Sequence, residues 1–188
     1  DLGSITYTIP SEYADIATVD ANGKITAVGE GTAKMQVVAK VGDKKFTTLK
    51  EAVDYAIANG GTVELISNVE LTEAITIPAG ATVTLDLNGN DITAPINVII
   101  NNGTLTINDT VGNGNVYTTD VSAQGRATIV NYGTITINGG WYGDSNNDTT
   151  DRNAINRGNA IKNSGTAIIN GGYFTNVSNQ FIGTDAYA

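Results

Sequence analysis

Three sets of residues in this chain carry functional groups whose spacing sets what chemistry they could do. The first is the tract holding Asp144, Asn146, Asp148 and Asp151. Asp144, Asn146 and Asp148 fall at every second residue, as the first three oxygen ligands of a calcium loop do. Thr149 stands where that loop needs glycine and Ile155 where it needs a closing glutamate, so a hydrated Asn/Asp-rich turn is the plainer reading beside the metal. The second set is aromatic: Trp141 with Tyr142, and Tyr173 with Phe174, each follow an Asn-Gly-Gly sequence. Alternation along a strand sends one ring of each pair inward and the other outward. With Tyr142 and Phe174 inside, Trp141 and Tyr173 make an outer two-ring surface on which a sugar could lie; otherwise the rings are core, or a structural aromatic ladder. The third set is Asp86, Asp109 and Asp120, with Arg126 and Lys162 as bases. Hydrolysis of a polysaccharide needs two opposed carboxyl groups, and no Asp pair recurs at one repeat spacing, so solvated surface carboxylates are the simpler account.

Composition removes most other chemistry. The 188 residues include no cysteine and no histidine, which excludes disulfides, thiolate nucleophiles, Cys/His zinc sites and any base built on imidazole. A formal net charge of -9 repels phosphate backbones, so no nucleic-acid partner is expected. No stretch is apolar and long enough to insert in a membrane, and no signal sequence opens the chain at Asp1. The absent start methionine suggests a processed or excised chain. With 22 Gly, 22 Asn and 26 Thr against 3 Pro, the mixture suits a β-rich chain with many tight turns.

The elements that would position these residues fall into two parts, 1–46 and 47–188. Five of the ten basic residues lie in the first part. There, Ile5 to Ile9, Ile16 to Val19 and Lys24 to Val28 read as strands, with Asn22-Gly23 as a hairpin turn, and a further strand is expected from Thr32 to Val38. The second part opens with the one convincing helix. Leu49, Ala52, Val53, Ala56 and Ile57 form a single apolar stripe, Thr48 and Glu51 form a capping box, and Asn59-Gly60-Gly61 ends the element. A lone amphipathic helix before a β-only region reads as a lid over the end of that β structure.

After Gly61 the chain repeats. Segments 84–89, 104–109, 134–139 and 166–171 line up without gaps, their closing asparagines (Asn88, Asn108, Asn138, Asn170) spaced by 20, 30 and 32 residues. A second column, Asn101, Asn131 and Asn163, stands two residues before Gly103, Gly133 and Gly165. Short strands recurring at this interval predict an all-β right-handed parallel β-helix with an N-terminal capping helix, preceded by a partial Ig-like β segment. Stacked asparagines would bond one another, and Leu85/Leu87, Leu105/Ile107 and Ile135/Ile137 would fill the core. Residues 185–188 read as a lead-in strand without its turn, so a truncated C-terminal coil is expected. Open β edges could then make homo-oligomers.

Residues 17–33, with Asp20, Asn22 and Gly23 in one turn and Gly29, Glu30 and Gly31 in the next, resemble the group 2 bacterial immunoglobulin-like (Big_2) domains. Residues 46–53 and 75–89, with the later repeats, resemble pectate-lyase-like β-helices of bacterial or phage surface proteins. The first resemblance implies a stalk module at the bacterial cell surface, or in a virion. The second fixes fold rather than function, because lyases, hydrolases, adhesins and tailspikes share it. The expected role is a non-catalytic extracellular structural or adhesion module that binds host or environmental glycans through Trp141 and Tyr173, without a cofactor unless the Asp144 loop takes calcium. A polysaccharide lyase or glycoside hydrolase fragment and a phage virion structural protein are the alternatives.

Overall fold

The computed structural model describes residues 17–19, 25–30, 36–119, 127–144 and 159–174. They are mostly β, with one α-helix, and the chain divides into two compact units, Asp1–Val37 and Val38–Ala188. In the first, β1 (Ala17–Val19) pairs antiparallel with β2 (Ile25–Ala27), Thr18 opposite Thr26. This is the hairpin that Asn22-Gly23 suggests, although the turn itself, the Ile5 to Ile9 strand and residues 31–35 lie outside the described residues. Gln36, Val37 and Val38, expected as strand, have no regular secondary structure.

The units divide at 37/38 rather than at the expected 46/47. The reason is a second hairpin, β3 (Ala39–Val41) with β4 (Lys44–Phe46). Its first strand lies antiparallel against β5 (Thr62–Leu65), pairing Ala39 with Leu65 and Val41 with Val63. Inward Ala39, Val41 and Phe46 join the core of the second unit, while outward Lys40 meets Glu64 across the strands at 2.8 Å. That ion pair is half-exposed and of small worth, so the apolar face decides where the hairpin packs.

The helix α1 (Leu49–Asn59) follows the sequence closely. Thr48 Oγ1 accepts the Glu51 N–H at 3.2 Å, and Gly60, at φ 75°, gives its N–H to Ala56 O at 2.8 Å. Leu49, Ala52, Val53 and Ala56 are buried, in one cluster with Ile75, Ile77, Val83 and Leu85. Leu49 and Val53 also line a small apolar cavity with Ile99 and Leu105, so the helix covers the interior of the strands that follow.

Those strands run in repeating order through three parallel sheets. One sheet holds β7 (Ile75–Ile77), β10 (Ile99–Asn101), β13 (Ala127–Asn131) and β16 (Asn159–Asn163). The next extends from β5 through β8 (Thr82–Asp86), β11 (Thr104–Asn108), β14 (Thr134–Ile137) and β17 (Thr166–Ile169). The third holds β6 (Val69–Glu70), β9 (Ile92–Ala94), β12 (Asn115–Thr118), β15 (Trp141–Asp144) and β18 (Tyr173–Phe174). Each circuit of the chain therefore adds one strand to every sheet. Like residues stack about 4.8 Å apart.

The register fixes the columns. Val63, Leu85, Ile107, Ile137 and Ile169 succeed one another inward, as do Val83, Leu105, Ile135 and Ala167. Outward on the same strands run Thr82, Thr104, Thr134 and Thr166, then Thr62, Thr84, Thr106 and Thr136. Thr82, not Thr84, lies opposite Thr104, so the gapless alignment of segment 84–89 with 104–109 is slipped by two residues. A slip of two preserves which face every side chain takes, which is why hydrophobic alternation does not reveal it.

Candidate functional site

Two asparagine ladders hold the circuits in register. Asn101 Nδ2 donates to Asn131 Oδ1 at 2.7 Å, and Asn131 Nδ2 to Asn163 Oδ1 at 2.7 Å; Asn101 and Asn131 are fully buried. Each amide also reaches backbone: Asn101 Nδ2 to Thr134 O at 3.0 Å, and Asn131 Nδ2 to Gly133 O and Thr166 O at 3.2 and 3.1 Å. The glycine two residues on is required sterically, since a Cβ on Gly133 would strike Gly103 O and one on Gly165 would strike Gly133 O. A second ladder, Asn138 to Asn108 and Asn170 to Asn138, runs exposed. Asn88 is not in it. At φ 50° Asn88 sits in a left-handed turn and donates to Leu65 O at 3.0 Å.

The carboxylates considered for catalysis serve the turns. Asp86, only 8% exposed, accepts the Asn88 and Thr110 N–H groups at Oδ1 (2.9 and 3.1 Å) and the Thr110 hydroxyl at Oδ2 (2.8 Å). Asp109 accepts from three glycines: Gly89 and Gly112 at Oδ1 (2.8 and 3.2 Å) and Gly114 at Oδ2 (2.9 Å). A carboxylate holding several backbone N–H groups is a turn cap. Lys162 is exposed on β16; Asp120 and Arg126 lie outside the described residues.

Of the calcium candidates, Asp144 ends β15, where its backbone is paired with Thr118. Asn146, Asp148 and Asp151 lie outside the described residues. Among the described residues no group of three or more Asp or Glu is placed to hold a metal ion.

The aromatic pairs stack across one circuit. Tyr142 is 1% exposed and Trp141 is 38% exposed, so alternation resolves with Tyr142 inward, but Phe174, expected inside with it, is exposed at the end of the described strands. Trp141 lies on Tyr173, itself 63% exposed, with ring centroids 4.4 Å apart and planes 24° apart. Tyr142 lies on Phe174 at 5.1 Å and 13°. The Tyr142 hydroxyl donates to Gly139 O at 2.7 Å; burial pushes its pKa far above the ordinary tyrosine value, and the charge of Asp109 adds to the rise. The outer stack is a geometry that sequence alone leaves open. Each ring covers one face of the other, so the pair offers its edges and its two outer faces rather than a flat two-ring floor.

Sequence reading missed the polar residues continuing this column. Asn68 Oδ1 accepts the Asp91 N–H at 3.0 Å, and Asp91 Oδ1 accepts the Asn115 backbone N–H and Nδ2 at 3.0 and 2.7 Å. Asn115 lies opposite Trp141, and Trp141 opposite Tyr173. The order Asn68, Asp91, Asn115, Trp141, Tyr173 thus climbs one side of the third sheet. Asn and Asp just ahead of a strand also read as ordinary turn formers, which hides them.

Residues 1–49 match the family model of the Bacterial Ig-like domain (group 2). Domains of that family are typical of bacterial surface proteins and are usually non-catalytic. The match extends over β3 and β4, the hairpin that pairs with β5. Neither the curated proteins nor the solved structures include a match to the chain. No described helix is long and apolar enough to cross a membrane.

Proposed function

We propose that the chain is a non-catalytic extracellular module of a bacterial surface protein, in which a right-handed parallel β-helix capped by α1 displays a glycan-binding column. The observation that carries this reading is the outward stack of Trp141 on Tyr173, with both rings open to solvent. Aromatic rings held rigidly at a surface bind the C–H faces of sugars at small cost in conformational entropy. The three-sheet circuit order, the matched asparagine columns and the resemblance to pectate-lyase-like repeats support the β-helix. The use of Asp86 and Asp109 as turn caps supports a role without catalysis, and the Ig-like match supports an extracellular setting. In the same reading Asp144, Asn146, Asp148 and Asp151 are the candidate calcium ligands.

The test is affinity electrophoresis of the whole chain through gels of neutral and acidic polysaccharides, with calcium and with chelator, each gel assayed for cleavage products. Retardation without products is expected, and retardation weakened by chelator supports the calcium loop. Products would overturn the proposal in favour of a lyase or hydrolase. Migration unchanged in every gel would remove the glycan partner and leave a structural protein, for which assembly between copies becomes the question.

A further inference from the structure

We infer that Asn138-Gly139 is a self-modification site: in the folded protein the Gly139 nitrogen attacks the Asn138 side chain, and the aspartate or isoaspartate that results alters the turn leading to Trp141. An asparagine followed by glycine is open to this reaction because no side chain shields the attacking nitrogen. The chain holds several such pairs, and the structure separates them by the state of that nitrogen. The Gly60 N–H is held by Ala56 O at 2.8 Å and the Gly171 N–H by Ile137 O at 3.3 Å. The Gly103 N–H is held by Asn101 Oδ1 at 3.2 Å, and those of Gly89 and Gly114 by the Asp109 carboxylate at 2.8 and 2.9 Å. The Gly139 N–H has no partner among the described residues. Asn22-Gly23 lies outside the described residues.

The nitrogen attacks as its anion, so a hydrogen-bonded N–H is protected. One bonded to a carboxylate is protected most, because a second negative charge would form beside the first. Asn138 is exposed, so water and hydroxide reach it. Asn170 Nδ2 donates to Asn138 Oδ1 at 2.8 Å, which supports the charge that gathers on that oxygen as the bond from nitrogen to Cγ forms. Hydroxide takes the Gly139 proton, the Cγ–Nδ2 bond breaks, and ammonia leaves with a proton from water. Water then opens the cyclic imide at either carbonyl, giving aspartate or isoaspartate with no redox change. Both products lose the bond that Asn138 Nδ2 donates to Asn108 Oδ1. Isoaspartate also adds a methylene to the backbone between two anchors on the preceding circuit. These are the Asn138 N–H on Ile107 O and the Trp141 N–H on Gly114 O, both at 2.9 Å. The extra length therefore falls on Gly139, Gly140 and Trp141.

Trypsin separates the pairs. Residues 51–126 hold those that begin at Asn59, Asn88, Asn102 and Asn113, residues 127–152 hold the Asn138 pair, and residues 163–188 hold the Asn170 pair. The folded protein is incubated in mildly alkaline buffer and sampled for ammonia and for the change of amide to acid in each peptide, with fragmentation to place it. Asn138 should convert first, about tenfold faster than Asn170 and faster still than Asn88 or Asn113. Isoaspartate should be among its products, and the emission of Trp141, the single tryptophan of the chain, should shift as it accumulates. Gly139→Ala should suppress the conversion and keep the fold by circular dichroism, since its Cβ meets nothing closer than Asp109 Cβ at 3.3 Å. In urea all the pairs should convert at similar rates. Conversion of another described pair before Asn138 in the folded protein would overturn the assignment, as would a lead for Asn138 that persists in urea. A folded sample in which Asn138 stays intact while the urea sample converts would also overturn it. Constant Trp141 emission as isoaspartate accumulates would overturn the effect on the turn.

Discussion

The side-chain amide of Asn101 donates to the side-chain oxygen of Asn131 at 2.7 Å, although 30 residues of chain separate them. Asn131 repeats the bond to Asn163, which is 32 residues further on. The circuits differ in length, yet the ladder keeps one spacing. Buried amides bonded in series are costly to interrupt, because each neighbour loses a partner where water cannot replace it.

Asn131→Ala should therefore lower unfolding stability by about 3 kcal/mol, since it removes the buried acceptor of Asn101 as well as the donor to Asn163, Gly133 and Thr166. The comparison is Asn138→Ala in the exposed ladder, where water takes over the lost bonds and the cost should stay below about 1 kcal/mol. Urea titrations of the two variants measure the difference. Equal effects would mean that the buried ladder contributes no more than a surface pair.

Gly133 should be the least tolerant glycine of the repeats. A Cβ there meets Gly103 O, a backbone atom of the preceding circuit that moves only if the two strands part. Gly112 makes the contrast: its φ of 85° strains any other residue, but nothing lies within 4 Å of its Cβ position. Gly112→Ala should cost about 1 kcal/mol, whereas Gly133→Ala should exceed about 3 kcal/mol because overpacking is added against rigid backbone. Expression and thermal melting of both variants decide it; a Gly133→Ala protein that melts like Gly112→Ala would show that the circuits can spread.

Much of this was legible because period-2 alternation and Asn-x-Gly spacing are local signals. Leu105, Ile107, Ile135 and Ile137 point inward as alternation requires, and the helix begins and ends at the cap residues its sequence carries. Two features were not legible. The pairing of Thr82 with Thr104 depends on loop length, and a two-residue slip leaves every face unchanged. The docking of β3 on β5 depends on an antiparallel partner 20-odd residues away, while the β3–β4 turn at Gly42 reads equally well as the end of the preceding segment. Of the site, alternation gave two outcomes for Trp141 and Tyr142, and only packing chose between them. Asp86 and Asp109 show outward carboxylates that sequence cannot separate from catalytic ones, because their partners are backbone N–H groups brought in by turns.

Thr118 should be improved by removing its hydroxyl. The residue is 1% exposed, opposite Ala94 in the preceding strand, and its Oγ1 is buried without a hydrogen-bond partner. Valine has the same branching at Cβ and keeps the packing. Thr118→Val should raise stability by about 1 kcal/mol, the order of the penalty for an unmet buried hydroxyl. A urea midpoint unchanged or lowered in the valine variant would mean that the hydroxyl has a partner, such as a buried water, that matters to the fold.

Tyr142 makes the second unit less stable in alkaline solution. Its pKa is raised in the folded protein, first by burial and then by Asp109, so the native state keeps a proton that the unfolded chain releases above about pH 10. The stability it contributes is complete below that pH and is lost as pH rises beyond it, by about 1.4 kcal/mol per pH unit for one proton. Tyr142→Phe removes the titration but also the hydrogen bond to Gly139 O, worth about 1 kcal/mol. At pH 7 the native protein should therefore be the more stable of the two. Above about pH 11 the order should reverse, because only the tyrosine protein is penalised by deprotonation of the unfolded chain. The other tyrosines and the lysines are common to both proteins and cancel in the comparison. Paired urea unfolding curves from pH 7 to pH 12 measure the crossing. Two stability profiles that stay parallel to the end of that range would mean that Tyr142 ionises as easily folded as unfolded, and that it is not sealed in the core by Phe174 and the Gly139 turn.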